Sequence, residues 1–353
     1  MLSGKMRTDL DRIPEYVPGK SIEDIKREYG LKRVIKLASN ENPYGCSPKV
    51  IEAVRDFRDF HIYPPPDSEE LRERIADYTG FDAEMIVLSA GMDGVLEGVF
   101  KMLIDVGDVV AYAIPTFQYY SILSKIYRAR ESKLKRNSEF KMFEFDENAK
   151  LTVICSPNNP TGNVEDVSFV KEVIESVKGY VFIDEAYAEF TEKQLLKFAE
   201  YENVIIGRTF SKAFGLANLR IGYGIMHPDL RKAFMKVNTP FPLSTISIRA
   251  AIAALEDIKW TKDVVKRIVA ERERLFEGLN AIANAVRSEA NFIFFETDHP
   301  SEIVARELEK RGVIVRSLKN FEGAGDRSMR VTVGKPEENE IFLNALRKVL
   351  CSL

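Results

Sequence analysis

Several features that mark particular protein classes are scarce or absent in this sequence of 353 residues. No apolar run approaches the roughly 20 residues that a membrane-spanning helix requires. The first residues, MLSGKMRTDLDRIPEY, have no apolar core, so we predict no secretory signal. The net charge of −3 gives no electrostatic reason to expect nucleic acid or an anionic membrane as a partner.

Cysteine is also scarce, with only Cys46, Cys155 and Cys351 in the whole chain. The three are an odd number, lie far apart, and lack the spacing of metal ligands. Few scattered thiols are typical of a protein from a reducing compartment. We therefore predict a cytoplasmic protein with no metal site.

The length and composition predict a soluble globular protein of two domains, with 45% hydrophobic and 30% charged residues. From about residue 85 onwards, apolar strand candidates alternate with amphipathic helix candidates. This alternation predicts an α/β domain with a mainly parallel sheet, whose ligands bind beyond the carboxyl ends of the strands. The predicted strands are Met85–Ser89, Asp108–Ala113, Leu151–Cys155, Tyr180–Asp184 and Val204–Ile206.

The rest of the chain predicts a second, smaller α+β domain. Helices are expected there from Ser21 and over a long stretch from about 245 to 284, while the helix expected from Pro48 to about Phe60 falls in the large domain. Short strand and helix candidates then alternate to the end of the chain. We predict a large domain over 40–245, and a small domain formed by 1–39 and 246–353.

Lys212 is the first candidate for chemistry, since it follows the strand candidate Val204–Ile206. The hydroxyls of Thr209 and Ser211 precede it, and Arg220 stands eight residues after it. This set would suit an amine that forms a Schiff base beside groups that bind a phosphate. A solvated loop lysine is the simpler interpretation of Lys212 taken alone.

Asp184 and Tyr187 follow the next strand candidate along the sheet. A carboxylate at Asp184 would keep a ring nitrogen protonated, and the Tyr187 hydroxyl would donate to a ring oxygen. Taken alone, Asp184 is equally well explained as a helix cap, and Tyr187 as a half-buried packing residue.

Three further segments place polar or aromatic groups at strand ends. Asn159, in the turn NNPTG, would offer its amide to the same ring oxygen, although such turns are common. The backbone N–H groups of Met92 and Asp93 begin a helix after Gly91 and would suit a phosphate, or simply mark a helix start. Phe117 would stack on an aromatic ring, or belong to the core.

Arginines complete the set of candidates. Arg220 would bind a phosphate through two hydrogen bonds. Arg316 and Arg330 each lie near the end of a short strand candidate, and together they would suit a doubly charged anionic substrate. Exposed surface arginine is the alternative, and it is stronger for Arg316 than for Arg330.

These motifs, taken in order, resemble the pyridoxal-phosphate aminotransferases of classes I and II. The resemblance rests on NPTG at 159–162, DEAY at 184–187, and TFSK at 209–212 followed by Arg220. More narrowly, ASNENPYG at 38–45, YPPP at 63–66, LRIGY at 219–223 and RVTVG at 330–334 are similar to the histidinol-phosphate branch of that family. The likeness runs over nearly the whole chain.

The resemblance implies a fold of the aspartate-aminotransferase type (fold type I), with helices on both faces of the large sheet, and a homodimer with its sites at the subunit interface. It implies that Lys212 binds the cofactor, pyridoxal 5′-phosphate, and moves a proton. Asp184 would pair with the ring nitrogen, Asn159 and Tyr187 would hold the ring oxygen, and Phe117 would stack on the ring. The implied phosphate ligands are Met92, Asp93, Thr209, Ser211, Arg220 and Tyr63 of the partner subunit. The implied substrate contacts are Tyr16, Asn159, Arg316 and Arg330.

The implied reaction converts L-histidinol phosphate and 2-oxoglutarate to imidazole acetol phosphate and L-glutamate, in histidine biosynthesis. The sequence departs from the family pattern at GMDG (91–94) and PFPLS (240–244). These departures weaken the identification of the substrate more than that of the cofactor. Threonine-phosphate decarboxylase and aromatic amino-acid aminotransferase are therefore kept as alternatives. A non-catalytic effector-sensing module is disfavoured, because the catalytic pattern begins within the first fifty residues.

Overall fold

A seven-stranded β-sheet organises the computed structural model, which describes residues 7–15 and 19–353. The strands of the described chain are β1 (Ile35–Lys36), β2 (Ile86–Ala90), β3 (Val109–Ala113), β4 (Arg130–Leu134), β5 (Leu151–Cys155), β6 (Tyr180–Asp184), β7 (Val204–Thr209), β8 (Ile221–Met226), β9 (Asn284–Ala285), β10 (Phe292–Glu296), β11 (Val313–Ile314), β12 (Arg316–Ser317) and β13 (Ser328–Thr332). The order across the large sheet is β2-β8-β7-β6-β5-β3-β4. Only β8 runs antiparallel to its neighbours, so the predicted mainly parallel sheet is confirmed.

Helices cover the sheets and connect their strands. They are α1 (Ile22–Tyr29), α2 (Pro48–Arg55), α3 (Glu69–Thr79), α4 (Gly91–Leu103), α5 (Tyr119–Ile126), α6 (Val167–Ser176), α7 (Pro228–Val237), α8 (Thr245–Glu256), α9 (Ile258–Asn280), α10 (Ser301–Glu309) and α11 (Pro336–Ser352). Every residue of β5 and β7 is buried, because helices shield both faces of a parallel sheet. That burial explains why these strands are mainly apolar and show no alternation, with Arg208 of β7 buried in an ion pair with Glu185.

The carboxyl-terminal part of the chain builds a second sheet, with the order β12-β13-β10-β9 and antiparallel pairing throughout. The amino-terminal segment joins this part through β1, which pairs in parallel with β11. One continuous apolar core includes residues from both sheets. The boundaries 40–245 and 246–353 stay a prediction.

The structure corrects several predicted elements. α2 ends at Arg55 rather than near Phe60, because the chain turns there and places Phe57 in the core. The expected helix over 245–284 is two helices, since Asp257 leaves the helical conformation and accepts a hydrogen bond from the hydroxyl of Ser47.

Two strands of the large sheet were not predicted. The sequence of β4, RESKL, is largely charged, which an edge strand tolerates because one side of it faces solvent. The sequence of β8, IGYGIM, contains two glycines, which are unfavourable in strands. α7, which follows β8, was missed as well.

Candidate active site

The predicted site residues meet in a cavity of about 270 Å³ between the two sheets. The carboxyl ends of β5, β6 and β7 and the start of α4 form one wall, and β12 and β13 contribute to the other. The predicted residues that line it are Met92, Asp93, Phe117, Asn159, Asp184, Tyr187, Thr209, Ser211, Lys212, Arg220, Arg316 and Arg330. The structure therefore brings together side chains that are more than 200 residues apart in sequence.

Lys212 lies in the loop after β7, with its amine pointing into this cavity. Nζ donates a hydrogen bond to the carbonyl oxygen of Ser39 at 3.2 Å and lies 5.6 Å from the centre of the Tyr187 ring. Burial, and next to it the positive charge of Arg330, lowers the pKa of Lys212 to about 8. At pH 7 roughly one amine in ten is then neutral and nucleophilic.

Asp184 ends β6, and its carboxylate is almost fully buried. Oδ1 accepts a hydrogen bond from the backbone N–H of Ala186 at 3.0 Å, and Oδ2 accepts one from the hydroxyl of Tyr120 at 2.6 Å. Burial raises the pKa of Asp184 to about 6, although both hydrogen bonds oppose that change. The carboxylate is thus mostly ionised at neutral pH, in a place where a positive charge would stabilise it.

Tyr187 is buried beside the amine, and its ring packs edge-on against Phe292 at 5.0 Å between ring centres. Its hydroxyl accepts a hydrogen bond from Nδ2 of Asn40 at 3.0 Å. The hydroxyl keeps its own proton, since burial raises the pKa of Tyr187 well above the ordinary value. Tyr187 can therefore donate a hydrogen bond into the cavity.

Asn40 is a site residue that the sequence did not reveal. It is buried, adopts a left-handed backbone conformation with φ 55°, and is fixed by hydrogen bonds with Thr332 and Asn291. Asparagine tolerates this conformation better than most residues. Its position in ASNENPYG was a signal, but no local feature indicated that it contacts Tyr187.

Arg330 and Asn159 meet across the cavity although they come from different sheets. The guanidinium of Arg330 donates through Nη1 to Oδ1 of Asn159, and through Nη2 to the carbonyl oxygen of Ala38 at 2.8 Å. Arg330 is also buried over the ring of Phe292, at 5.3 Å. Its orientation is thus fixed before any ligand binds.

Arg316 lies directly opposite Arg330 in the pairing of β12 with β13. It is half-buried, and its guanidinium lies 5.6 Å from the centre of the Phe321 ring. The pairing of the two strands puts both positive charges at the same side of the cavity. This arrangement suits an anion with charge at more than one atom.

The groups predicted to bind a phosphate surround the start of α4. Thr209 Oγ1 and Ser211 Oγ are hydrogen-bonded to each other at 3.0 Å. Nη2 of Arg220 forms an ion pair with Oδ2 of Asp93 at 2.8 Å, which holds the guanidinium over the first turn of the helix. The start of α4, two hydroxyls and one cation therefore line the same cavity, a combination that suits an anion site at a helix start.

Glycine makes the close approach of β8 to this helix start possible. A Cβ atom on Gly222 would lie 2.2 Å from the carbonyl carbon of Gly91, and one on Gly91 would lie 2.7 Å from Nη2 of Arg220. Gly91 also has φ 75°, a conformation that favours glycine. The helix start therefore lies closer to the sheet than other residues would allow.

Of the two remaining predicted residues, the structure describes Tyr63, which does not line this cavity. Tyr63 is 78% exposed and stacks on Phe241 with 4.7 Å between ring centres. Its expected role was in the site of a partner subunit, which stays a prediction. Tyr16 lies outside the described residues.

Most of the chain matches a known protein family. The model of the family described as aminotransferase class I and II matches residues 32–346. The chain belongs to this family. Among its relatives, histidinol-phosphate aminotransferase 1 of Archaeoglobus fulgidus is 52% identical over 322 residues, covering 90% of this chain and 99% of the relative. Histidinol-phosphate aminotransferase of Methanosarcina mazei is 42% identical, covering 96% of this chain and 95% of the relative.

A solved structure of the same family shares the fold. Histidinol-phosphate aminotransferase of Sinorhizobium meliloti, solved in complex with pyridoxal-5′-phosphate, has a TM-score of 0.88 and 24% sequence identity. The match covers 99% of this chain and 98% of that chain. The predicted family and the aspartate-aminotransferase type of fold are thereby confirmed.

Two negative observations apply to the described part of the chain. No group of three or more His, Cys, Asp or Glu side chains is placed there to hold a metal ion. None of its helices combines the length and the apolar character needed to cross a membrane.

Proposed function

We propose that the protein is a pyridoxal 5′-phosphate-dependent aminotransferase that converts L-histidinol phosphate and 2-oxoglutarate to imidazole acetol phosphate and L-glutamate, a reaction of histidine biosynthesis. The observation that carries the proposal is the Lys212 amine of lowered pKa, which shares one cavity with the buried carboxylate of Asp184 and with two arginines. The names of relatives up to 52% identical over most of the chain support the choice of substrate.

The donors and acceptors of the cavity fit this cofactor from one end to the other. An amine is present for the aldehyde, a carboxylate for the ring nitrogen, and an anion site at a helix start for the phosphate. The residues that would hold it are Lys212 at the aldehyde, Asp184 at the ring nitrogen, Asn159 and Tyr187 at the ring oxygen, Phe117 at the ring face, and Met92, Asp93, Thr209, Ser211 and Arg220 at the phosphate.

When bound, the cofactor supplies a carbon that bonds to amines and a conjugated ring that withdraws electrons from the substrate α-carbon. Lys212 Nζ would take the proton from that α-carbon and hold it for return. A pKa of about 8 suits this task, because a proton carrier works best when its pKa is near the working pH. Burial by the surrounding side chains produces that value, and the cations Arg330 and Arg220 add to the effect.

Asp184 holds a negative charge in the cavity, where it would face the ring nitrogen of the cofactor. Above its pKa of about 6 the carboxylate favours a protonated ring nitrogen, and a protonated ring withdraws electrons more strongly. Tyr187 and Asn159 would orient the ring by hydrogen bonds to its oxygen. These residues act together by keeping the ring in one position and one protonation state.

Arg316 and Arg330 bind the charged groups of the substrates. L-Histidinol phosphate carries a phosphate and no carboxylate, whereas 2-oxoglutarate and glutamate carry two carboxylates, so both substrates offer anions to the same pair. The guanidinium of Arg330 is already fixed by Ala38 and Asn159, which reduces the entropy lost on binding. Tyr16 is proposed to complete the substrate site.

We also propose that the enzyme is a homodimer, in which Tyr63 reaches the phosphate of the partner's cofactor. The support is an apolar surface near the start of α8. Phe60, Ile62, Tyr63 and Phe241 are 73%, 58%, 78% and 40% exposed. Exposed apolar clusters of this kind mark protein interfaces. Sedimentation velocity would measure the mass in solution, and a monomer at micromolar concentration would contradict the proposal.

The cytoplasm is the proposed location. The support is the state of the cysteines, since Cys46, Cys155 and Cys351 are all free thiols. Free thiols persist in reducing compartments.

A panel of amino compounds tests the reaction. The purified protein is incubated with pyridoxal 5′-phosphate and 2-oxoglutarate, and glutamate is measured with histidinol phosphate, phenylalanine, tyrosine or threonine phosphate as the donor. We expect the highest kcat/KM for histidinol phosphate. Release of carbon dioxide from threonine phosphate would identify a decarboxylase, and a preference for phenylalanine or tyrosine would identify an aromatic aminotransferase. A protein that binds no pyridoxal 5′-phosphate would overturn the whole proposal.

A further inference from the structure

Tyr120 is fully buried, does not line the cavity, and contacts two residues that do. Its hydroxyl donates to Oδ2 of Asp184 at 2.6 Å. Its ring packs edge-on against the ring of Phe117 at 5.7 Å between centres. Tyr120 belongs to α5 and Asp184 ends β6, so this hydrogen bond connects a helix to the end of a central strand 64 residues away.

The Asp184 carboxylate receives only two hydrogen bonds from the described chain, from Tyr120 and from the N–H of Ala186. The Ala186 donor is local and follows from the turn after β6. The Tyr120 donor is the long-range one, and it determines which way the carboxylate faces. A carboxylate in so buried a place needs such donors to stay ionised.

The chemical nature of the donor matters as much as its position. A lysine or arginine at this point would also stabilise the carboxylate, but it would neutralise the charge that a ring nitrogen needs. A tyrosine hydroxyl stabilises the ionised form without a positive charge of its own. The full negative charge of Asp184 is therefore kept for a ligand.

We propose that Tyr120 is a positioning residue that orients the Asp184 carboxylate and keeps it ionised for the ring nitrogen of the cofactor. The proposal rests on the proposed function in one respect, namely that pyridoxal 5′-phosphate occupies the cavity. Tyr120 itself touches neither cofactor nor substrate. It acts through Asp184 by its hydroxyl, while its ring supports Phe117.

The pH dependence of cofactor affinity is the quantity that reports this role. Below its pKa Asp184 is protonated and no longer pairs with a protonated ring, so affinity decreases as the pH falls through that pKa. The Tyr120 hydrogen bond lowers the pKa of Asp184, and loss of the hydroxyl must raise it. The other titratable groups that act on Asp184 or are affected by its charge come from four further segments. They are Asp93 of α4, Cys155 of β5, Tyr187 after β6 and Lys212 after β7.

The test is the Tyr120→Phe variant, which removes the hydroxyl and keeps the ring against Phe117. Apoenzyme is prepared, and the dissociation constant of pyridoxal 5′-phosphate is measured by absorbance between pH 4.5 and 8. We expect the acid-side decrease in affinity to move about one to two pH units higher than in the wild type, which is the effect of losing one hydrogen bond to a charged group. At pH values below that decrease, the variant should bind pyridoxal 5′-phosphate about ten- to a hundredfold more weakly than the wild type.

Tyr112→Phe is the matched control. Tyr112 is also a buried tyrosine, and its ring lies 6.2 Å from that of Tyr120, but its hydroxyl donates to Glu131. This variant should leave the acid-side decrease where it is in the wild type. In an Asp184→Asn background, which lacks the titrating carboxyl, Tyr120→Phe should produce no shift in pH dependence.

A second replacement keeps the proposal testable if Tyr120→Phe folds poorly. Replacing Tyr120 by 3,5-difluorotyrosine retains the hydroxyl and makes it a stronger donor, so the acid-side decrease should move to lower pH. The proposal is overturned if Tyr120→Phe loses thermal stability while its pH dependence equals that of the wild type, or if the fluorinated protein shifts in the same direction as the phenylalanine variant. A wild type that fails to bind pyridoxal 5′-phosphate would instead refute the proposed function.

Discussion

The close contact between β8 and the start of α4 gives the sharpest prediction for cofactor binding. Gly222 lies between Ser89 of β2 and Thr209 of β7 in the sheet, directly beneath the helix start. In Gly222→Ala the added Cβ would lie 2.2 Å from the carbonyl carbon of Gly91 and 2.6 Å from the backbone nitrogen of Met92. Real Cβ atoms essentially never approach other atoms closer than 3.0 Å, so backbone must move by about 0.8 Å.

The expected losses of stability and of cofactor affinity follow from the displacement of backbone in Gly222→Ala. Backbone is displaced rather than a flexible side chain, so the variant should lose about 1–3 kcal/mol of unfolding free energy. The displaced N–H groups of Met92 and Asp93 are those proposed to bind the phosphate. Each hydrogen bond to a charged group that is lost weakens binding about tenfold or more, so affinity for pyridoxal 5′-phosphate should fall about ten- to a hundredfold.

Gly224→Ala provides the control on the same strand. The three atoms nearest to its added Cβ would all be side-chain atoms, of Val87, Val95 and Met226, at 3.0 to 3.2 Å. Cofactor titration and thermal unfolding of both variants would separate a local effect on the phosphate site from a general loss of stability. Equal cofactor affinity in Gly222→Ala and Gly224→Ala would refute the assignment of the phosphate to the α4 helix start.

Further predictions concern a buried ion pair, cofactor binding by Lys212 and substrate binding. Glu165→Gln should destabilise the protein by about 3–5 kcal/mol in urea unfolding, because it leaves Arg136 without the partner it has at 2.5 Å in a fully buried ion pair. The rate at which apoenzyme binds pyridoxal 5′-phosphate, measured by stopped-flow absorbance, should rise with pH through about 8, because only the neutral amine of Lys212 reacts and its pKa is lowered. Lys212→Ala should retain no cofactor after borohydride reduction, as measured by mass spectrometry. Arg330→Ala and Arg316→Ala should each raise the KM for histidinol phosphate about tenfold or more, in steady-state kinetics.

Each of these predictions has an outcome that contradicts it. Asp166→Asn is the control for Glu165→Gln, because Asp166 forms an exposed ion pair with Lys141. Loss of this exposed pair should lower the free energy of unfolding by less than about 1 kcal/mol. Equal losses in the two variants would mean that burial does not decide the stability lost with an ion pair. A cofactor-binding rate that rises only near pH 10 would show that Lys212 has the pKa of an ordinary lysine. Unchanged KM values in both arginine variants would place the substrate anion elsewhere.

The sequence alone determined the central strands and the residues at their ends. β5, β6 and β7 are almost wholly buried, so they consist mainly of apolar residues, and such runs can be recognised without a structure. The site residues that follow these strands, among them Asp184 and Lys212, are next to them in the chain. Their meeting in one cavity follows from the parallel sheet, because the carboxyl ends of parallel strands lie at the same edge.

Only the tertiary structure decided the contacts that support these residues. Asn40 reaches Tyr187, and Arg330 reaches Asn159, over 147 and 171 positions of sequence. Tyr120 reaches Asp184 through a helix that, in sequence, is simply amphipathic. Such hydrogen bonds depend on where whole elements pack, and the pattern of one segment carries no information about its distant partner.

In the glycine-rich strand β8, tertiary packing overrides what the local sequence predicts. Its sequence argues against a strand by local propensity, and Gly222 is nevertheless required there, because the start of α4 leaves no room for a side chain. Local chemistry thus indicated the residues proposed to bind the cofactor of this aminotransferase. The packing of β8 against α4 and of α5 against the sheet decided how those residues are held, since close approach and long-range hydrogen bonds exist only once the chain is folded.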